Sequence, residues 1–254
     1  VSLFENYVTS IGYACSSDGI NFELRPEPFI NTDSATDRFG AEDARISKID
    51  NTFLITYTGL SQPLEGPVNG IRIALATTTD FKSIRKHGVV GPDCSDKDAV
   101  IFPRRINGQI VMLHRIDPDI QLIRFNDLDE LYNPPALKWK NHMDTLDDHV
   151  IMRPQFEWEA RKIGAGPTPI ETSEGWLLIY HGVDEKFVYR GGLALLDLDD
   201  PSRVIARSSM PILSPEKEYE RFGDVDNVVF PEGAVVIDGT LHMYYGAADK
   251  VIGH

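Results

Sequence analysis

The sequence predicts an all-β protein built as a β-propeller. Short runs rich in β-branched and aromatic residues alternate with Gly-, Asp- and Asn-containing turns along the whole chain, which is the pattern of strands joined by hairpins. Strand-turn-strand units recur at about 45–50 residues, the spacing of propeller blades. Apolar residues at helical spacing are scarce. A chain of 254 residues then accommodates roughly four to five blades. A two-sheet sandwich is the alternative, because strand pattern alone does not separate the two.

The elements follow in order. Tyr7 to Cys15 reads as a strand, Ser16-Ser17-Asp18-Gly19 as a turn and Asn21 to Leu24 as the returning strand, ended by Pro26 and Pro28. A polar loop from Asn31 to Arg38 leads into Phe39-Gly40-Ala41-Glu42-Asp43-Ala44-Arg45. Asp50-Asn51 then turns the chain into the aromatic strand Thr52–Tyr57. Ile71–Thr77 continues the series. Val100–Arg105 and Gln109–His114 flank Asn107-Gly108, the strongest short hairpin signal in the chain. Asp127–Tyr132 could form one turn of helix and Trp139–Asp144 a weaker one. Ile120–Phe125, Thr168–Ile170, Trp176–Tyr180 and Gly191–Asp197 are further strands, and Gly233–Ile237 and Leu241–Tyr245 pair around Asp238-Gly239. No low-complexity linker or change in composition marks a boundary, so residues 1–254 read as one domain.

Apolar residues make up 42% of the chain and charged residues 25%, as in an ordinary globular protein. The net charge of −14 argues against nucleic acid as a partner, since phosphate backbones need a basic face. No apolar run reaches the length of a bilayer span, and no signal segment opens the chain. Cys15 and Cys94 lie outside any CxxC pair, which points away from a metal or redox site and towards a disulfide-free, cytoplasmic protein. Gly164-Ala165-Gly166-Pro167 lacks the order of a phosphate-binding P-loop, and neither an HExxH motif, an EF-hand nor a GxSxG elbow is present. No cofactor is implied.

Within that frame the chemistry-bearing groups sit at strand ends. In a regular strand Asp43 and Arg45 would share a face and Glu42 would point away. Whether Asp43 could act as an acid depends on the balance between desolvation and the neighbouring guanidinium. A surface salt bridge is the plain alternative. Lys97, Arg115, Lys162 and His181 each stand at the boundary of an apolar strand in an otherwise acidic protein. Gathered together they would form an anion clamp, with an imidazole able to protonate near neutrality as a further donor. Taken singly, each is an ordinary solvated strand end or a core histidine.

Six ordered motifs then carry a resemblance. They are Gly40–Arg45, Lys97–Pro103, Leu113-His114-Arg115, Lys162–Pro167, Gly175–Gly182 and Tyr244–Asp249. Together, over essentially the whole chain, they resemble glycoside hydrolase family 130, composed mainly of β-mannoside phosphorylases with some β-mannosidases. The resemblance implies a five-bladed β-propeller with its active site in a central cavity. It implies inverting phosphorolysis, in which Asp43 donates a proton through a sugar hydroxyl while inorganic phosphate attacks the anomeric carbon from the opposite face. The product would be α-mannose 1-phosphate. Phosphate then replaces the base-activated water of inverting hydrolysis, so no second catalytic carboxylate is required. By motif position Lys97, Arg115, Lys162, His181, Tyr189 and Asn227 would bind phosphate, and Arg45 and Asp249 the sugar.

Two departures accompany the resemblance. Ala44 replaces the proline that usually follows the aspartate, and the family has further segments at both ends, so the first and last blades are expected to be incomplete and ring closure to suffer. The substrates implied are mannosyl-glucose or manno-oligosaccharides, and homo-oligomers are possible. The competing readings are a β-mannosidase, for which Glu171, Glu174 and Glu185 are the candidate bases, and a non-catalytic carbohydrate-binding propeller. Ser61–Asn69 and Asn141–His149 are the expected loops at the cavity mouth.

Overall fold

The computed structural model describes residues 8–62 and 70–254. Four antiparallel sheets of three to five strands follow one another along the chain, each running outward from an innermost strand. The first comprises β3 (Gly40–Ile49), β4 (Thr52–Leu60), β5 (Ile71–Thr78) and β6 (Arg85–Val89), after a short ribbon of β1 (Ala14–Cys15) and β2 (Glu23–Leu24). The second comprises β7 (Lys97–Ile101), β8 (Ile110–Arg115), β9 (Ile120–Phe125) and β10 (Val150–Met152). The third is β11 (Lys162–Ala165), β13 (Trp176–Val183), β14 (Tyr189–Leu196) and β15 (Val204–Arg207), with β12 (Ile170–Glu171) added to β13. The fourth is β16 (Val229–Ile237), β17 (Thr240–Ala247) and β18 (Val251–Gly253). Among the described residues the arrangement is all-β and propeller-like, with four blades.

Apolar cores lie between neighbouring blades. Leu54, Ile73 and Leu75 of the first meet Ile101, Met112 and Phe125 of the second, while Val100, Phe102 and Leu113 meet Trp176, Leu178 and Tyr180 of the third. Strands covered on both faces read as near-continuous apolar runs rather than alternating ones, and every residue of Ile110–Arg115 is buried. The fourth blade has the smallest core, Val229, Tyr245 and Ala247. The turns at Asn107-Gly108 and Asp238-Gly239 each have both residues at positive φ, the geometry that matches strand twist in a two-residue hairpin.

The ribbon β1–β2 links the last blade to the first. Tyr244 donates from its hydroxyl to the Gly19 carbonyl at 2.6 Å and meets Phe22 edge-on. On the other side Tyr13 stacks on Phe81, whose carbonyl accepts from Arg25 at 2.8 Å. Regular pairing in this segment is much shorter than the strand expected over Tyr7–Cys15. Between β9 and β10 the chain makes two helices, α1 (Leu128–Tyr132), capped by Asp127, and α2 (Ala136–Asp144). The expected mouth loop Asn141–His149 is therefore the end of α2 followed by a 3₁₀ turn over Leu146–His149. Its residues Asn141, His142, Thr145 and His149 line a cleft of about 350 Å³ shared with Leu122, Ile123 and Arg124 of β9. Most of the other expected loop, residues 63–69 of Ser61–Asn69, lies outside the described residues. Among the described residues no helix is long and apolar enough to cross a membrane.

Candidate active site

The innermost strands β3, β7, β11 and β16 lie against one another or against neighbouring blades around one centre. Three of them carry a bulge there. The β3–β4 register shifts between Glu42 and Arg45, that of β7–β8 between Lys97 and Val100 and that of β16–β17 between Pro231 and Gly233. Asp43 and Asp98 sit at positive φ, +54° and +55°. A bulge breaks the two-residue alternation and re-aims a side chain. Here three bulges bring Asp43, Asp98 and Glu232 to one place.

The bulge interrupts the regular alternation expected across Asp43 and Arg45, yet both side chains reach the same centre. The Asp43 carboxylate pairs with Lys97, Oδ2 to Nζ at 2.6 Å, and accepts a longer bond from the Thr58 hydroxyl at 3.4 Å. Burial alone would raise the Asp43 carboxyl, but the Lys97 ammonium and then the Arg45 guanidinium outweigh it and hold it below the usual carboxylate range. The same pairing, against a large desolvation penalty, raises Lys97 above its ordinary value. The surface salt bridge is excluded, for Arg45 is 1% exposed. Arg45 joins blades: Nη1 donates to the Asp43 carbonyl at 2.6 Å and Nε to that of Gly166 at 3.2 Å, while Glu232 Oε1 lies 3.0 Å away. It therefore ties the first blade to the third and fourth.

Asp98 is the buried anchor of the cationic residues. Its Oδ2 lies 2.8 Å from Arg115 Nη1 and 3.5 Å from His181 Nε2, and Arg45 approaches Oδ1 at 3.7 Å. Burial opposes ionisation, but Arg115 and the other cations keep Asp98 far below the usual range. Arg115 also reaches Asp117, Nε to Oδ1 at 2.8 Å. Its backbone N–H donates to Asp96, and the other oxygen of Asp96 holds His114 Nδ1 at 2.8 Å, so the strand end carrying Arg115 is fixed from below. Lys162 is the least committed cation, 3.7 Å from Asp117, and burial followed by repulsion from Arg115 lowers its pKa.

His181 is wholly buried, and burial drives its pKa well below the ordinary imidazole value. The imidazole is thus neutral at pH 7, not protonated near neutrality as the sequence reading expected. Arg115 Nη1, which can only donate, lies 3.1 Å from His181 Nε2, so Nε2 accepts and the proton resides on Nδ1. That Nδ1–H is a buried donor with no acceptor among the described residues. Tyr189 stands beside it, ring centroid 6.0 Å from that of His181, and Phe230 lies 4.4 Å from the imidazole. Asn227 accepts the Tyr189 backbone N–H on its carbonyl and, like Asp249, has a positive φ. Burial and then the Asp43 charge raise the Asp249 carboxyl.

Asp43, Arg45, Lys97, Arg115, Lys162 and His181 are therefore brought together through direct contacts, with Tyr189 and Asn227 bordering them and Asp249 within electrostatic reach. Sequence reading assigned no role to Asp98, Asp117, Phe230 or Glu232. By contrast, Glu171 pairs with Arg104 at 2.9 Å, and Glu174 and Glu185 are exposed turn residues. Among the described residues no His, Cys, Asp and Glu group could hold a metal ion.

The chain as a whole is similar to known proteins. The sequence profile of glycoside hydrolase family 130, described as beta-1,4-mannooligosaccharide phosphorylase, matches residues 3–254. The chain belongs to glycoside hydrolase family 130. Within the family it is 42% identical to a 1,2-beta-oligomannan phosphorylase of Thermoanaerobacter over 98% of this chain and 79% of the relative. It is 44% identical to a beta-1,2-mannobiose phosphorylase of the same organism over 97% of this chain and 76% of that protein. The solved beta-1,2-mannobiose phosphorylase of Listeria innocua, in complex with beta-1,2-mannobiose, superposes with a TM-score of 0.76 at 35% identity, covering 94% of this chain and 64% of that one.

Proposed function

We propose that this family 130 chain is an inverting β-mannoside phosphorylase, which cleaves mannosyl-glucose or manno-oligosaccharides with inorganic phosphate to give α-mannose 1-phosphate and a shortened saccharide. The observation that carries the reading is the gathering of Lys97, Arg115, Lys162 and the unpartnered His181 Nδ1–H in the same centre as the Asp43 carboxyl, in a chain of net charge −14. Charge-assisted bonds from lysine and arginine are the strong ones for a phosphate dianion. Tyr189 and Asn227 complete the phosphate side of the proposal, and Arg45 and Asp249 the sugar side, Arg45 acting by holding the Asp43 backbone.

In the proposed reaction a phosphate oxygen forms the new bond to the anomeric carbon as the glycosidic C–O bond breaks. The Asp43 proton passes through a sugar hydroxyl to the departing oxygen. Asp43 is held ionised by Lys97. A bound dianion competes for that ammonium, and with Lys97 drawn off, the burial already acting on Asp43 favours its protonated form. Phosphate would thus both supply the nucleophile and arm the acid.

The architecture proposed with it is a five-bladed ring around a central active site, in one domain, with the β1–β2 ribbon contributing to the fifth blade. Its contacts to both Tyr244 and Phe81 support that placement. A cytoplasmic location and self-association belong to the same proposal, and no organic or metal cofactor is part of it. The hydrolase reading is favoured by one structural neighbour, described with glycoside hydrolases that target beta-1,2 mannosidic linkages at 26% identity. It needs a base across the sugar from Asp43, and of the candidate bases Glu171 is taken up by Arg104 while Glu174 and Glu185 are exposed. The test is incubation with β-1,2-mannobiose, β-1,4-mannobiose and mannosyl-glucose, with and without inorganic phosphate. Mannose 1-phosphate formed only with phosphate supports the proposal; free mannose at equal rates in both conditions refutes it.

A further inference from the structure

Consecutive residues of a strand point to opposite faces, so β8 sends Arg115 into the centre and His114 away from it. Lys97 pairs with Arg115 across one end of β7–β8, and behind that cationic pair runs a line of polar side chains, Asp96, His114 and His142, all of them buried. Asp96 accepts the Arg115 backbone N–H on Oδ1 at 3.1 Å and holds His114 Nδ1 on Oδ2 at 2.8 Å. A carboxylate only accepts, so His114 carries a proton on Nδ1. Its other nitrogen, Nε2, lies 3.0 Å from Nε2 of His142 on α2, and one of the two donates to the other. Trp139 of α2 meets both imidazoles edge-on and is itself tied to the Val90 carbonyl. His149 stacks on His142 with ring centroids 4.1 Å apart.

The surroundings of this line are apolar: Trp139 packs with Ile101, Met112 and Phe125 in the core between the first two blades. Apolar side chains of similar size would fill that core as well, because a buried polar network carries a desolvation penalty that complete hydrogen bonding must offset. What the polar line adds is a connection from α2 to the strand end that bears Arg115.

We propose that His142 is a positioning residue for phosphate binding: through His114 and Asp96 it fixes the end of β8 from which Arg115 reaches the anion. The inference rests on the reading of the cationic cluster as a phosphate site. The hydrogen bond made by one ring nitrogen of a histidine sets the protonation of the other. With His142 in place, the His114 ring is held at both nitrogens and presents Nδ1–H to Asp96. Without it, Nε2 of His114 faces an apolar core unpaired, and satisfying that nitrogen means turning the ring away from Asp96. Asp96 then loses the bond that orients it, and the Arg115 N–H loses a fixed acceptor. The effect falls on the phosphate side, because Asp43 and Arg45 are carried by β3 of another blade.

The test is calorimetric binding of inorganic phosphate, and separately of β-1,2-mannobiose, to the unmodified chain, His142→Leu and His142→Gln, with melting temperatures alongside. His142→Leu should weaken phosphate by roughly tenfold, less than the about hundredfold that a misplacement of a whole ångström can cost, and leave saccharide binding nearly unchanged. His142→Gln, whose amide can donate or accept at a similar reach, should restore most of the phosphate affinity. Asp96→Asn offers one acceptor oxygen in place of two and should weaken phosphate at least as much, which keeps the inference testable where His142→Leu does not fold. Phosphate affinity lost equally in the Leu and Gln variants, parallel losses for phosphate and saccharide, or a lower melting temperature with phosphate affinity unchanged would reduce the line to packing and overturn the inference. Absence of phosphate binding by the unmodified chain would overturn the phosphate site together with it, whereas equal binding by the unmodified chain and all three variants removes the role of His142 alone.

Discussion

Replacing Lys162 by alanine separates phosphate binding from saccharide binding. Lys162 is the one cation of the centre without a close carboxylate, 3.7 Å from an Asp117 side chain that is itself 60% exposed, so its charge is largely unspent. Its pKa is lowered by burial and by Arg115, which means that an incoming dianion relieves an existing repulsion. A hydrogen bond between charged groups contributes about 1.5–3 kcal/mol, and 1.4 kcal/mol is tenfold, so KM for phosphate should rise about 10- to 150-fold. KM for the mannoside should stay within about threefold, because the side chain faces the cationic cluster and not Asp43. Initial rates of mannose 1-phosphate release at varied phosphate and at varied mannobiose measure the two constants. Equal losses in both, or an unchanged phosphate constant, would refute the reasoning. Arg115→Ala is the contrasting case. Arg115 is 4% exposed and neutralises the buried Asp98 at 2.8 Å, so its removal strands a charge at a cost of about 3–5 kcal/mol. That corresponds to a melting temperature lower by on the order of 10 °C, which thermal unfolding would show before any kinetic effect could be interpreted.

Three further outcomes follow from the same geometry. Asp43→Asn keeps the shape and removes the proton donor; mannose 1-phosphate formation should fall by at least about a hundredfold while phosphate binding, measured by calorimetry, strengthens or stays level as Lys97 is freed, and parent-like turnover would remove Asp43 from its role. Gly164→Ala would place a methyl group 2.3 Å from Asp98 Oδ2 and 2.4 Å from His181 Cε1. Since both neighbours are fully buried, activity should be lost and the melting temperature lowered, and a variant with parent-like rates would contradict the packing described. Asp98 has a depressed folded pKa, so its stabilisation is present above the unfolded value, about 3.9, and is lost as pH falls towards the folded one. Urea unfolding should therefore show stability dropping below about pH 4, and Asp98→Asn should remove that part of the drop at the cost of a lower plateau at neutral pH.

The hairpins were legible because their chemistry is local. Asn107-Gly108 and Asp238-Gly239 adopt the positive φ values that their residue types favour, and the apolar runs between turns became the strands facing the inter-blade cores. Alternation could not report the strands buried on both faces, such as Ile110–Arg115. Helix α2 was barely visible, because what holds it is not a repeating apolar face. Trp139 donates its indole N–H to the Val90 carbonyl at 2.8 Å, and His142 meets His114 at 3.0 Å, contacts whose partners are far away in the sequence.

The centre shows the opposite balance. Its cations were found from motif position, yet the groups that orient them were not, because bulges change which way a side chain points without changing residue type. Asp43 followed by Ala44 in β3 and Asp98 followed by Ala99 in β7 form a repeated Asp-Ala pair at the same place in two blades, each with its aspartate at positive φ. That repeat was a usable signal for Asp98. Pro231 was the signal for Glu232, since a proline inside a strand marks an edge or a bulge and β16 is an innermost strand. A carboxylate next to such a proline, in a blade whose inner edge faces the cationic residues, has little choice but to meet them. The arrangement also explains why so acidic a protein can gather cations at one point: Arg45, Lys97 and Arg115 are each matched by a carboxylate delivered from a bulge, while Lys162 and the Nδ1–H of His181 keep the most bonding capacity to offer an incoming anion.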